Sequence, residues 1–208
     1  MTHPLKLLIA THNPAKKQEL WNGFAPLLIS KINLLFLDDL HITNEPEETG
    51  KTFEENARLK AEYFADISHL PTVADDGGIE IDALGGEPGV KSRRWLGYDA
   101  SDKELIDYTL LRMKDIPKDK RTARFKVVLH YVNPETKKWS AITTSIEGSI
   151  ALHASEKRVD GFPYRTLFIV HRFDKNYEDL SPEEYSQVGH RLQAVKKLIP
   201  LIKQDLLQ

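Results

Sequence analysis

The chain has 208 residues, 40% of them hydrophobic, 29% charged and none cysteine, enough for one sizeable core while excluding disulfides, thiolate metal ligands and a cysteine nucleophile. Lysine plus arginine number 29 against 31 aspartate plus glutamate, a net charge of −2, so the overall basic field that holds a long nucleic-acid backbone is absent, which disfavours a polynucleotide partner but not a single nucleotide. The opening MTHPLKLLIA is too short in apolar residues for a secretory leader, and nowhere do about eighteen apolar residues run together, so no membrane span and a cytoplasmic location are expected.

Strands and helices alternate along the chain, without repeat or linker, and that pattern predicts an α/β fold. Residues 5–10, LKLLIA, have the length of a buried strand, and NPAKKQELWNGF follows as a helix with Leu20 and Phe24 on one side. Between them Thr11, His12 and Asn13 form a short polar loop, with Lys16 on the first helical turn. Backbone N–H groups and a lysine placed there suit a phosphate, although a capped helix with a solvated lysine fits the same residues and no glycine-rich phosphate loop is present.

Glu47 and Glu48 then lie in a loop, as ordinary surface acids unless something gathers them. The segment TFEENARLKAEYFADI is the clearest helix, with Thr52 and Glu55 in capping-box spacing and Phe53, Ala57, Ala61 and Phe64 as its apolar stripe. Asn56 and Lys60 share a face beside that stripe, where a lysine is by default solvated.

PTVADD reads as a strand and GIEIDA as a second, short alternating one, so Asp75 and Asp76 are expected at a strand end. Two readings fit them. DDGG is good hairpin chemistry, and paired carboxylates at the carboxyl end of a strand suit Mg²⁺, which takes one or two carboxylates and completes its shell with water and phosphates. SDKELIDYTLLRM, with Ser101 and Glu104, is a further capped helix. Residues 122–132 alternate as a strand, Asn133 and Pro134 turn the chain, and KKWSAITTSIEGSIAL returns antiparallel. One last helix is expected from Ser181 to the end, with Pro182 in its first turn and Glu184 completing the box.

Taken together, THNPAK, EETGKTFEENARLKA, ADDGGIEIDALGGEPGVKSRRW, RTARF, DGFPYRTLF and LSPEEYSQVGHRLQAVKKL resemble, in order and over nearly the whole chain, the inosine triphosphate pyrophosphatases, which remove non-standard purine nucleotides. The resemblance implies one domain over residues 1–208, a curved mixed sheet with flanking helices, and two lobes around a nucleotide cleft. It also implies a homodimer that hydrolyses triphosphates such as ITP, dITP and XTP to the monophosphate and pyrophosphate with Mg²⁺. By position, Asp76 matches the metal-binding general base, with Asp75 beside it and Glu48 or Glu47 as the acidic partner. Thr11, Asn13, Lys16, Lys60 and Gly77 fall at triphosphate positions. Phe162, Tyr164, Arg165, Tyr185, His190 and Arg191 fall at base and sugar positions.

The departures cluster on the base side. Where the family writes Gly-Phe-Gly-Tyr-Asp-Pro, this chain has Gly161, Phe162, Pro163, Tyr164, Arg165 and Thr166; Gly189 replaces a serine, Tyr185 a lysine, and Gly77 the serine or threonine after the catalytic aspartate. Two alternatives follow: an activity like that of the Maf-like pyrophosphatases on other nucleotides, pyrimidines included, or nucleotide binding without catalysis.

Overall fold

The computed structural model describes residues 5–207. Residues 1–4, which carry part of the reading against a leader, and residue 208 of the expected domain lie outside the described residues. The described residues form strands β1 (Leu5–Ala10), β2 (Ile32–Phe36), β3 (Thr72–Ile81), β4 (Thr122–Val132), β5 (Trp139–Ile150), β6 (Phe168–Val170) and β7 (Lys175–Asn176). The helices are α1 (Pro14–Phe24), α2 (Pro26–Ile29), α3 (Phe53–Ser68), α4 (Asp102–Arg112), α5 (Pro182–Val188) and α6 (His190–Leu206). The sheet runs β2-β1-β3-β4-β5-β6-β7. It is mixed, with β1 parallel to β2 and β3 and β6 antiparallel to β5 and β7, in agreement with the mixed α/β sheet expected from the sequence. Among the described residues no helix is long and apolar enough to cross a membrane.

The chain divides into two compact units. The first comprises Met1–Asp76, Val127–Thr144 and Arg191–Gln208, the second Gly77–Lys126 and Ser145–His190. In the first, residues 7–10 of β1 are buried on both faces, which explains why LLIA is continuously apolar instead of alternating. Leu7 and Ile9 pack with Leu20 and Phe24 of α1 and with Val195 and Leu198 of α6. Leu8 and Ala10 face the other way, onto Ala61 and Phe64 of α3. Small alanines let α3 approach the sheet closely, and burying a ring such as Phe64 stabilises by about 2–3 kcal/mol. Neighbouring residues of β3 sort in the same manner, Val73 to the α1/α6 side and Ala74 to the α3 side.

The second unit has its own core, in which Ile79, Leu105, Phe125, Ile146, Leu167 and Phe168 meet. Arg121 ties it together by donating to the main-chain carbonyls of Met113, Ile116, Ile150 and Ala151 at 2.6–3.2 Å. Its guanidinium is buried with carbonyl partners only, and burial lowers its pKa.

Three expectations are corrected. PTVADD and GIEIDA are one ten-residue strand, so DDGG makes no hairpin and Asp75 and Asp76 sit inside β3. What ends there is the parallel partner: the β1–β3 pairing stops at Ala10 opposite Ala74, one residue before Asp75. The terminal helix is broken in two. Gly189 leaves helical geometry, and a Cβ on it would lie 2.8 Å from the Tyr185 ring, so this break needs a glycine. At α3, Thr52 accepts from the Glu55 N–H, but Glu55 reaches back to the Lys51 N–H and the capping box is only half formed.

Candidate active site

The period of the strand explains what happens to the two adjacent aspartates. Successive side chains leave opposite faces, so Asp75 follows Val73 towards α1 and α6, while Asp76 follows Ala74 towards α3. On the first side Asp75 Oδ2 accepts from Arg191 Nε at 3.2 Å and Nη2 at 3.1 Å, and Lys16 Nζ lies 3.1 Å from the same oxygen. Arg191 also donates through Nη1 to Glu19 at 2.7 Å. On the other side Lys60 Nζ donates to Glu48 Oε1 at 2.7 Å and stands 3.5 Å from Asp76 Oδ1. All seven groups belong to the first unit.

Their environments push the two aspartates apart. Burial would raise Asp75, but Lys16, Arg191 and Lys60 overcome it and hold the carboxyl well below the usual carboxylate range. For Asp76 burial wins over Lys60 and Lys16, with Glu48 and Asp75 adding repulsion, and the pKa is raised. Burial works against the Lys60 ammonium, yet Asp76, Glu48 and Asp75 outweigh it and raise its pKa.

Local structure sets each group in place. Asn13 caps α1 by accepting from the N–H groups of Ala15 and Lys16 at 2.9 and 3.1 Å, and the Thr11 hydroxyl accepts from the Asn13 N–H, so both side chains fix the loop that presents Lys16. Asn56, one turn before Lys60, is buried and accepts from the Gly50 N–H at 2.8 Å. A Cβ on Gly50 would lie 2.5 Å from that Asn56 oxygen, so the glycine lets the Glu48 loop close on α3. Lys60 is therefore no solvated lysine, its side chain being 14% exposed. Glu48 turns inward to it and Glu47 stays exposed.

Among the described residues no three acids or histidines are gathered into a metal cage. Within this group of acids and cations one atom nevertheless asks for a partner: Asp76 Oδ2 is buried and meets no hydrogen-bonding group of the protein. A hard oxygen in that state, with the Glu48 carboxylate brought near through a shared lysine, fits a Mg²⁺ that takes only one or two carboxylates.

The residues expected around base and sugar are distributed differently. Arg191 goes to Asp75 and Glu19 in the first unit. The remainder lie in the second unit. There the Arg165 guanidinium stacks 3.5 Å from the Phe162 ring centroid and 4.8 Å from that of Tyr177, His190 stacks on Phe125 at 5.5 Å, and the buried Tyr164 donates its hydroxyl to the Ser92 carbonyl. Tyr185 packs edge-on against Tyr177. Gly77 continues β3 directly after Asp76. Glu19 was not legible from the sequence: it is one acid on a polar helix face, and its partner is 172 residues away.

A model of the Ham1 family matches residues 7–201, so the chain belongs to that family. It is 40% identical over 199 residues to the dITP/XTP pyrophosphatase of Bacillus subtilis, covering 94% of this chain and 96% of that protein. A dITP/XTP pyrophosphatase of Thermus thermophilus is likewise 40% identical over 203 residues, covering 98% of this chain and 94% of that protein. Among solved structures the Ham1 protein of Staphylococcus aureus superposes with a TM-score of 0.81 at 30% identity, over 96% of this chain and 99% of that one.

Proposed function

We propose that the chain hydrolyses nucleoside triphosphates of non-standard purines, of the dITP and XTP kind named for its relatives, to the monophosphate and pyrophosphate, with Mg²⁺. The observation that carries this reading is the Asp76 carboxylate, with one oxygen beside the Lys60–Glu48 pair and the other buried without a protein partner. Glu48 and Asp76 are the residues that would hold the ion, which when bound supplies positive charge to phosphate oxygens and acidifies a water. Lys16, Lys60 and Arg191 stand against Glu19, Glu48, Asp75 and Asp76, three cations to four carboxylates. Such a site carries too little positive charge for a triphosphate, and a divalent cation supplies the difference.

In the reaction the water oxygen bonds to phosphorus, its proton passes to the Asp76 carboxylate, the anhydride between the α and β phosphoryl groups breaks, and pyrophosphate leaves with the bridging oxygen. Lys16 and Lys60 neutralise the charge that grows on the departing group. The test is release of pyrophosphate, and not orthophosphate, from a panel of purine and pyrimidine triphosphates with and without Mg²⁺. Release from no member of the panel overturns the reading. Lys16→Ala and Lys60→Ala are each expected to lower kcat/KM by a similar factor for every accepted nucleotide, since the phosphates are common to all.

Phe162, Arg165 and Tyr185 carry the base preference in the same reading. Because the Arg165 guanidinium covers one face of Phe162, at most one face of that ring remains for a base. Arginine donates where the family's aspartate accepts, which suits the carbonyl and ring-nitrogen acceptors of a 6-oxopurine. Arg165→Asp is expected to change the ranking of bases in the panel; a uniform loss assigns the residue to phosphate, and no change removes it from the site. The homodimer and the cytoplasmic location belong to this proposal too, and sedimentation of the purified chain tests the first.

A further inference from the structure

Asp75 and Arg191 are the two site residues whose places differ most from what their positions in the sequence imply. Asp75 leaves β3 on the face opposite Asp76, directed towards α1 and α6 while Asp76 is directed towards α3. Arg191, one residue into the first unit on α6, spends Nε and Nη2 on Asp75 and Nη1 on Glu19. Both Asp75 and Arg191 are buried, at 2% and 4% exposure, while the Lys16 side chain retains 19%. The chain of contacts therefore runs from Glu19, whose side chain is 15% exposed, through the buried Arg191 and Asp75 to the Lys16 ammonium at its other partly exposed end.

The geometry points to Asp75 and Arg191 as positioning residues that act through Lys16, with the guanidinium locking the Asp75 carboxylate and Asp75 fixing the lysine that meets the phosphates. This inference rests on the hydrolytic reading of the site above and deepens it. Two donors converging on one carboxylate oxygen restrict its rotamer, and a long lysine side chain otherwise loses rotamer freedom on being held in one place. A lysine already ordered in the free protein meets its anion without that cost. Glu19 contributes by holding the far end of the guanidinium, so its effect is in the same direction and smaller.

The decisive experiment is a double-mutant cycle on Lys16 and Arg191, read by calorimetric binding of inorganic pyrophosphate in the presence of Mg²⁺ and, separately, by kcat/KM over the nucleotide panel. Lys16→Met and Arg191→Met are each expected to weaken pyrophosphate by about tenfold, and the double variant by no more than about twofold beyond Lys16→Met, the non-additivity of residues acting through one another. Glu19→Gln is expected to give a smaller loss, of the same sign and equal for all bases. Arg191→Lys keeps the charge, loses the two-donor geometry, and is expected to fall between wild type and Arg191→Met. It also serves where Arg191→Met does not fold. Losses that multiply in the double variant overturn the inference, because Arg191 then acts independently of Lys16. Unchanged pyrophosphate binding with an altered ranking of bases also overturns it, by making Arg191 a reader of the base. A fall in Tm with unchanged binding and kinetics reduces the network to scaffold and overturns it as well. If wild type cleaves no triphosphate, the hydrolytic reading fails by itself and the pyrophosphate cycle still decides between these outcomes.

Discussion

Burial raises the pKa of Asp76 beyond what Lys60 and Lys16 recover, so this residue is a place where folding and function oppose each other. A carboxyl whose folded pKa lies above its unfolded value stabilises the protein while protonated, and that contribution is lost as pH rises through the folded pKa. Once ionised, Asp76 therefore weakens the free fold. Asp76→Asn keeps the shape without the charge, and two outcomes are expected together: turnover falls by at least about a hundredfold, since ion binding and proton acceptance both suffer, while Tm without ligands rises by a few degrees, at roughly 2–4 °C per kcal/mol for a chain of this size. A steady-state assay and a thermal melt of the same variant check this, and a variant that is fully active, or inactive and less stable, contradicts the assignment. Asp75 has the opposite sign. Its pKa is depressed, so its contribution is present above the unfolded value and lost as pH falls through the folded one. The sequence shows two identical neighbours here, and only the alternation of the strand separates a clamped carboxylate from one with a buried, partnerless oxygen.

At the scale of elements, what was legible followed short-range rules. The α1, α3 and α4 helices announce themselves by caps at Asn13, Thr52 and Ser101 and by apolar spacing, and β4 by its alternation. What was not legible depended on distant neighbours: β3 runs on through DDGG as part of a ten-residue strand, and α6 begins only after Gly189 yields to the Tyr185 ring. Another long-range device closes the end of α6. Asp205 sits in its last turn, where the helix dipole disfavours an acid, and accepts from Tyr131 Oη at 2.7 Å, Asn133 Nδ2 at 2.8 Å and Thr136 Oγ1 at 3.0 Å, with Lys138 Nζ at 3.3 Å. The helix is thereby latched to the turn between β4 and β5, and through α6 to the base of Arg191. Asp205→Ala strands the buried Tyr131 hydroxyl and Asn133 amide, each at about 1–3 kcal/mol, and is expected to lower Tm by roughly 5–15 °C. Asp205→Asn, which keeps an acceptor, is expected to lose less. Burial opposes ionisation of Asp205, but these donors prevail and lower its pKa, so the latch holds above the unfolded pKa and weakens as pH falls through the folded one. Melts of both variants across pH 3–7 (about the range where carboxylates titrate) check the sign: the gap between wild type and Asp205→Asn should shrink towards the acid end.

For the whole molecule, motif order carried the family, because it is a property of the entire chain; the residues that set Lys16 in place were hidden because Glu19, Asp75 and Arg191 come from three distant segments. The gathered acids also set how the protein as a whole responds to its ligands. With four carboxylates around three cations, in the proposed hydrolytic reading pyrophosphate alone would meet repulsion from the acids and Mg²⁺ alone would meet only two of them, Glu48 and Asp76, already shared with Lys60. Together the two ligands complete each other's charge. A ligand present at about a hundred times its dissociation constant stabilises the state that binds it by about 2.7 kcal/mol, which for a chain of this length corresponds to roughly 5–11 °C in Tm. Mg²⁺ and pyrophosphate added together are therefore expected to raise Tm by that order, and by more than the sum of their separate shifts. Asp76→Asn should abolish the synergy while keeping part of the pyrophosphate effect, because Lys16 and its supporting acids and arginine lie on the other face of β3. Additive shifts in wild type, or full synergy in Asp76→Asn, would place the ion elsewhere than on the α3 side of the strand.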